Sequence, residues 1–303
     1  MSSQTAVRAF DYQVGPYLEH ATLHTGREAP PQRQPAVLML HGGFDGDDRT
    51  SHDLAQRLAK SGVVVLVPSY RGEKRHLDGK RSQGRVEFCR GEVDDARALL
   101  DELKQRADVD PERIGLLGFS HGACVALELT LAGAPVRAVV TFSAPTEADS
   151  TYENLRGHPW RLFGYYGWLA SYLAHAAGVD RRGLSPLEKA ARWHERSPVI
   201  ALGERHQPIG PQLLLLHGLA DDVVPANELE RFAKALVRDN AIEESRFDAH
   251  GGLLSQQRSP SSPGSSQVIR IHYYEGQGHT FQPAMKAAVE AQAVSFLVEQ
   301  LTH

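Results

Sequence analysis

The chain has 303 residues, 41% of them hydrophobic and 23% charged, with 33 Lys and Arg against 37 Asp and Glu for a formal net charge of −4. This is soluble-globular usage with enough length to bury a sizeable core, and nothing in the charge balance suits a nucleic-acid or membrane-surface binder. No apolar run reaches the roughly 20 residues of a membrane-spanning helix, and the opening MSSQTAVRAFDYQVG lacks the basic-then-apolar order of a secretory signal.

In chain order, YLEHATLH (17–24) alternates as a strand and is expected at an antiparallel edge, and AVLMLH (36–41) follows as a buried strand. A helix pattern at about 51–61 leads to GVVVLVP (62–68), and another at 92–107 leads to RIGLLGF (113–119). After a helix at 121–132 come VRAVVTF (136–142), QLLLLHG (212–218), a helix at 227–238, VIRIHYY (268–274) and a last helix at 283–301. Near-continuous Val, Leu and Ile suit strands buried on both faces. Glu228 and Glu230 in a first turn and Pro283 at a first helical position are start signals. The alternation predicts a doubly wound, mostly parallel α/β sheet with helices on both faces, one domain over 1–303.

Two segments break this rhythm. Residues from about 146 to 207 hold helix-like pieces and all three tryptophans, Trp160, Trp168 and Trp193, so they must pack on something. DAHGGLLSQQRSPSSPGSSQ (248–267) has the Gly, Ser, Pro and Gln content of a mobile surface insertion. Between 71 and 90 stand Arg71, Lys74, Arg75, Lys80, Arg81, Arg85 and Arg90 against three acids. They read as a solvated loop, with docking of a substrate carboxylate as the alternative. Cys89 and Cys124 have no CxxC spacing and read as free thiols in a reducing, cytoplasmic compartment; the spacing gives a disulfide between them no support.

The chemistry concentrates around GFSHG (118–122), which ends an apolar strand and opens an apolar helix. Glycines on either side of Ser120 permit a sharp strand–turn–helix that lifts a nucleophile clear of the sheet, with helix N-terminal N–H groups beside it. A serine hydroxyl needs a base. Of 15 histidines, His279 in EGQGHTF follows the last strand, at the carboxyl edge where α/β sites form. His272 lies inside a strand, His217 reads as a hydrogen-bonded structural residue, His250 falls in the surface insertion and His303 is terminal. An imidazole base needs a carboxylate to hold its tautomer. HGLADDVVP (217–225) offers Asp221 and Asp222, one to face the ring and one to be solvated, with Asp149 a remote third. HGGFDGDD (41–48) follows a strand, and its amides, Phe44 or Gly43 together with His121 after the serine, suit an oxyanion hole. Asp45, Asp47 and Asp48 do not match a calcium loop and read as a solvated acidic turn.

HGGF, PSYRG (68–72), GFSHG, HGLADDVVP and GQGH, in this order, resemble the α/β-hydrolase superfamily, and most closely its prolyl oligopeptidase and dienelactone hydrolase-like branches. The resemblance runs from about residue 17 to the end. It implies the α/β-hydrolase fold with a helical cap at about 146–207, a catalytic order Ser120, Asp221, His279, and the first aspartate of the pair as the acid. It implies esters, thioesters or peptides as substrates and no metal or organic cofactor. The chain lacks the length for a propeller domain and carries serine, not cysteine, at the turn, so neither branch's substrate class transfers. The expected activity is therefore a carboxylesterase working through an acyl-enzyme, with a small peptidase or aminoacyl hydrolase as the alternative and a non-catalytic ligand receptor as a third. Its partner would be a small-molecule ester or short peptide. Trp160, Tyr165 and Trp168, with Phe163, Tyr166 and Tyr172, would line a substrate pocket or pack the cap.

Overall fold

The structure, a computed structural model, describes residues 5–26, 32–47, 49–158, 164–259 and 268–302. Its strands are β1 (Thr5–Val14), β2 (Tyr17–Gly26), β3 (Gln34–Leu40), β4 (Val64–Ser69), β5 (Val109–Phe119), β6 (Ala138–Phe142), β7 (Gln212–Gly218), β8 (Ala241–Phe247), β9 (Leu253–Arg258) and β10 (Val268–Tyr274). They form one sheet in the order β1-β2-β4-β3-β5-β6-β7-β10-β8-β9. From β4 across to β8 every pairing is parallel. The sheet is antiparallel at both ends, where β1 and β2 join β4 and where β9 joins β8.

The central strands are apolar throughout because both faces are covered. In β3, Ala36, Leu38 and Leu40 face one core while Val37 and Met39 face the other. In β7, Leu213 and Leu215 take the first side, Leu214 and Leu216 the second, as the period of two requires. The second core is closed by α1 (Arg49–Lys60), through Leu54 and Leu58, and by α9 (Pro283–Thr302), through Val289, Phe296 and Leu297. The first is closed by α2 (Gly91–Gln105), α3 (His121–Leu131) and α8 (Ala226–Leu236). This is the mostly parallel, two-faced α/β architecture expected.

Between β6 and β7 come α4 (Ala148–Gly157), α5 (Tyr165–Ala177), α6 (Pro186–His194) and α7 (Pro198–Glu204). Helix α6 begins where Ser185 and Glu188 form a reciprocal capping box with Pro186 in the first turn. The root of this insertion is tied to the main body by Glu228 of α8. Its carboxylate accepts the N–H groups of Thr146 and Glu147, both at 3.1 Å, and the Thr151 hydroxyl at 2.9 Å.

The structure departs from the sequence reading in four places. YLEHATLH is not an edge, because TAVRAFDYQV forms β1 outside it, in register from Thr5 opposite Gly26 to Val14 opposite Tyr17. Residues 253–258 of the expected surface insertion form β9, a fully exposed edge strand, while 260–267 lie outside the described residues. The basic stretch is only partly solvated. Arg75 is fully buried, its guanidinium donating to Asp11, Asp78 and the carbonyls of Phe10 and Ala21, and Arg71 is clamped on Asp95. Buried guanidinium groups persist only when so paired. Finally, Cys89 and Cys124 are disulfide-bonded, with Cα atoms 5.9 Å apart across a sequence separation of 35. A pair so far apart in sequence leaves no local spacing signal, and the cytoplasmic location inferred from free thiols loses its basis. Among the described residues no helix is long and apolar enough to cross a membrane.

Candidate active site

Ser120 stands alone between the end of β5 at Phe119 and the start of α3 at His121, with φ 49° and ψ −117°. A non-glycine residue held there stores on the order of 1–3 kcal/mol of strain. It is kept in place by its N–H on Phe142 O at 2.8 Å, and by Ala123 and Cys124 N–H on its own carbonyl at 2.9 and 3.1 Å. The flanking glycines answer a packing demand. A Cβ on Gly118 would lie 2.5 Å from Gly122 O, and one on Gly122 would lie 2.2 Å from Leu40 O and 2.5 Å from His41 O. The first turn of α3 therefore presses directly on the end of β3, where no side chain fits.

His279 lies in the loop between β10 and α9, and Asp221 in the loop after β7. Their side chains meet Ser120 in one line. The Ser120 hydroxyl donates to His279 Nε2 at 2.9 Å, and His279 Nδ1 donates to Asp221 Oδ2 at 2.9 Å. Asp221 Oδ1 also accepts the N–H groups of Val223 and Val224, at 3.0 and 2.9 Å. Burial pushes the Asp221 carboxyl up, but the bond from His279, its charge and these amides outweigh burial and hold it below the usual carboxylate range. Beside it His217 is buried, which lowers its pKa, and its Nε2 donates to Val224 O at 3.0 Å. Asp222 points outward and accepts the Tyr166 hydroxyl, and Asp149 is exposed in the first turn of α4. His272 is buried within β10 and accepts from Gln292 at 3.2 Å.

The loop after β3 carries His41, Gly42, Gly43 and Phe44. His41 is buried against Glu73 at 3.1 Å and donates from Nδ1 to Gly42 O at 2.9 Å. Burial disfavours its charge, but the Glu73 carboxylate overrides that and raises its pKa to about 9. The Phe44 ring packs on His121 at 5.0 Å and on Tyr172 at 4.7 Å. Of the two aspartates of the acidic turn among the described residues, Asp45 is exposed and Asp47 is not. Asp47 is buried and accepts from Ser69 at 3.0 Å, Thr22 at 3.2 Å and the His76 N–H at 2.6 Å, while His52 lies 2.9 Å away. It ties the loop after β3 to β2, to the end of β4 and to the loop that follows β4, a role that its neighbours in sequence do not announce; Asp48 lies outside the described residues.

Ser120 and His279 open onto a cavity of about 440 Å³. Phe44, Leu155, Leu169 and Leu173 are among its apolar lining, and Lys286 and Glu290 of α9 also line it. Tyr165 and Trp168 line it while remaining 59% and 55% exposed, and Trp160 and Phe163 lie outside the described residues. Trp193 instead packs on Tyr152 at 5.1 Å. Leu169 and Leu173 were missed in the sequence, although their i, i+4 spacing in LASYLAHAAG marks one buried face of α5.

A family model described as the prolyl oligopeptidase family matches residues 49–252. An uncharacterized protein of Mycobacterium tuberculosis, MT2364, is 30% identical over 203 residues, which cover 66% of this chain and 57% of that protein. The "Putative esterase NocK" of Nocardia uniformis subsp. tsuyamanensis is 26% identical over 301 residues, covering 91% of this chain and 78% of the other. Among solved structures, a puromycin-hydrolyzing peptidase of M. tuberculosis superposes with a TM-score of 0.69 at 22% identity, over 99% of this chain but 39% of its own. That likeness is one of fold. The chain thus spans little more than half of MT2364 and well under half of the peptidase.

Proposed function

Because the chain belongs to the prolyl oligopeptidase family, we propose that it is a serine hydrolase that cleaves a small carboxylic ester through an acyl-enzyme, with Ser120, His279 and Asp221 as its catalytic residues. The single observation that carries the reading is the unbroken relay of hydrogen bonds from the Asp221 carboxylate through His279 to a strained Ser120 at the mouth of a cavity. His279 Nε2 takes the hydroxyl proton as Ser120 Oγ attacks the carbonyl carbon, and Asp221 stabilises the imidazolium that results. The backbone N–H groups of His121 and of Phe44 or Gly43 receive the negative oxygen. Collapse of the tetrahedral species hands the proton to the departing alcohol. Water then gives a proton to the same nitrogen as its oxygen attacks the acyl carbon, and collapse breaks the bond to Ser120 Oγ, which takes that proton back as the acid departs. These steps draw on no metal or organic cofactor.

In the same reading the chain is one domain, with α4 to α7 as its cap over the cavity, and the apolar lining at Leu155, Leu169 and Leu173 takes an apolar acyl or alcohol group. An active-site fluorophosphonate should label Ser120, and the enzyme should turn over short-chain p-nitrophenyl esters. An active protein left unlabelled at Ser120 would defeat the mechanism. A peptidase reading has its own support in the family match. Turnover of aminoacyl-naphthylamides in preference to esters would favour it.

A further inference from the structure

The mechanism above uses only the backbone of His121, yet its imidazole is 1% exposed and bonded to two loops at once. Cys89 N–H donates to Nε2 at 3.0 Å. A nitrogen that accepts carries no proton, so the ring's proton is on Nδ1, which donates to Gly43 O at 3.2 Å. The Gly43–Phe44 peptide is trans, as all described peptide bonds are, and in a planar trans peptide the carbonyl and the N–H point in opposite directions. Holding Gly43 O against the ring therefore turns the Phe44 N–H away from it. The ring itself is gripped by Phe88 stacked at 5.3 Å and Phe44 at 5.0 Å. Glu92 Oε2 is 3.9 Å from Nε2, beyond hydrogen-bond reach, and its carboxylate accepts the N–H groups of Glu87 at 2.7 Å and Arg90 at 3.2 Å instead. The Cys89 amide that fixes the tautomer is fastened through its disulfide to Cys124, one turn along the helix that carries His121.

We propose that the His121 side chain is a positioning residue: it aims the Phe44 N–H at the oxyanion, and the Cys89–Cys124 disulfide locks the ring in the tautomer that does so. This rests on Ser120 being the nucleophile, and it selects Phe44 over Gly43 as the second amide. His121 thus supplies one oxyanion donor from its backbone and orients the other with its side chain.

The test compares wild type, His121→Phe, His121→Gln, the Cys89→Ala/Cys124→Ala pair and Ser120→Ala. For each, kcat and KM on p-nitrophenyl butyrate, the rate of fluorophosphonate labelling and the Ki of an alkyl trifluoromethyl ketone are measured, with circular dichroism to verify folding. Outright loss of one oxyanion donor costs about 10²–10³ in kcat. Misaiming one, as in His121→Phe, should cost about tenfold to a hundredfold in kcat with KM within about threefold, and the ketone Ki should rise by the same factor as kcat/KM falls. Gln keeps an amide donor and acceptor and should recover to within about fivefold of wild type. The cysteine pair should lose about threefold to tenfold in kcat. A folded His121→Phe within twofold of wild type in kcat and labelling, or a loss carried by KM alone, overturns the proposal. If His121→Phe does not fold, unchanged kcat in the cysteine pair overturns it, and a drop confined to kcat supports it. Wild type that neither turns over nor labels would instead bring down the Ser120 reading, and this proposal with it.

Discussion

Three side chains carry the proposed reaction; two are held by groups outside the trio and the third by its partner. Ser120 is fixed by backbone bonds on both sides of a strained turn, Asp221 by two amides, and His279 by the acid itself. Residues acting as a unit lose activity as a unit, so Ser120→Ala and His279→Ala should each lower kcat by about 10⁵–10⁶, and the double variant by no more than either alone. Steady-state kinetics on a p-nitrophenyl ester measures all three. Asp221→Asn should cost about 10⁴, because an amide cannot hold the imidazole in the needed tautomer. Asp222→Asn should stay within about threefold, since that side chain faces solvent and Tyr166; a loss matching that of Asp221→Asn would exchange their roles. At this scale much was legible. GFSHG, the aspartate pair and GQGH each follow a strand whose apolar run is plain, and strand ends of a parallel sheet converge at one edge. What could not be read were partners set by tertiary contact alone: Glu73 under His41, the Asp47 clamp and the two bonds of the His121 ring.

Among the elements, the turn from β5 into α3 is where sequence and packing are most tightly coupled. Gly122→Ala places a methyl group 2.2 Å from a backbone oxygen of β3, a neighbour that moves only if the strand moves. Urea denaturation should show a loss of about 1–3 kcal/mol, the usual cost of overpacking, together with lost turnover as Ser120 shifts. An Ala variant as stable and active as wild type would mean that α3 does not press on β3 as described. The root of the α4–α7 insertion is sensitive in another way. Glu228 is buried, and burial, only partly offset by the N–H groups and hydroxyls around it, raises its carboxyl pKa to about 7 from an ordinary 4.5. An acid whose pKa is raised on folding binds its proton more tightly in the folded chain, so stability falls as pH rises from 4.5 towards 7. Over that window wild type should lose about 3 kcal/mol relative to Glu228→Gln, measured as the difference between their unfolding free energies at pH 5 and pH 8. A difference that does not change with pH would show that folding leaves the Glu228 carboxyl pKa unshifted. The elements missed in the sequence share a cause. β8, AIEESRF, and β9, LLSQQR, sit at the end of the sheet where one or both faces meet water, so neither has the apolar run that marks β3 or β7. β1 was readable in part, since Phe10, Tyr12 and Val14 alternate ahead of Gly15, a hairpin signal that a search for apolar runs passes over.

For the whole molecule, the sheet divides the interior into two cores, and the disulfide belongs to only one of them. Cys89 and Cys124 lie in the core closed by α2, α3 and α8, where they join the loop preceding α2 to the helix behind Ser120. The opposite core, under α1 and α9, has no such link among the described residues. A cross-link acts largely on the unfolded chain by forbidding conformations in which the two ends are far apart. Closing a separation of 35 residues removes entropy equivalent to about 3–4 kcal/mol at 25 °C in the chain-entropy account. The Cys89→Ala/Cys124→Ala variant should therefore unfold in urea with its stability reduced by about that amount. Its m value should rise slightly, because an untethered unfolded chain exposes more surface. Wild type unfolded with a reducing dithiol present should coincide with the variant, since reduction and substitution remove the same constraint once the buried bond is exposed. A variant within about 1 kcal/mol of wild type under non-reducing conditions would mean either that the bond is not formed in the protein in solution or that the unfolded chain already holds these segments together. Titration of free thiols in denaturant separates the two: two thiols per chain in unreduced wild type would establish the first, and none the second.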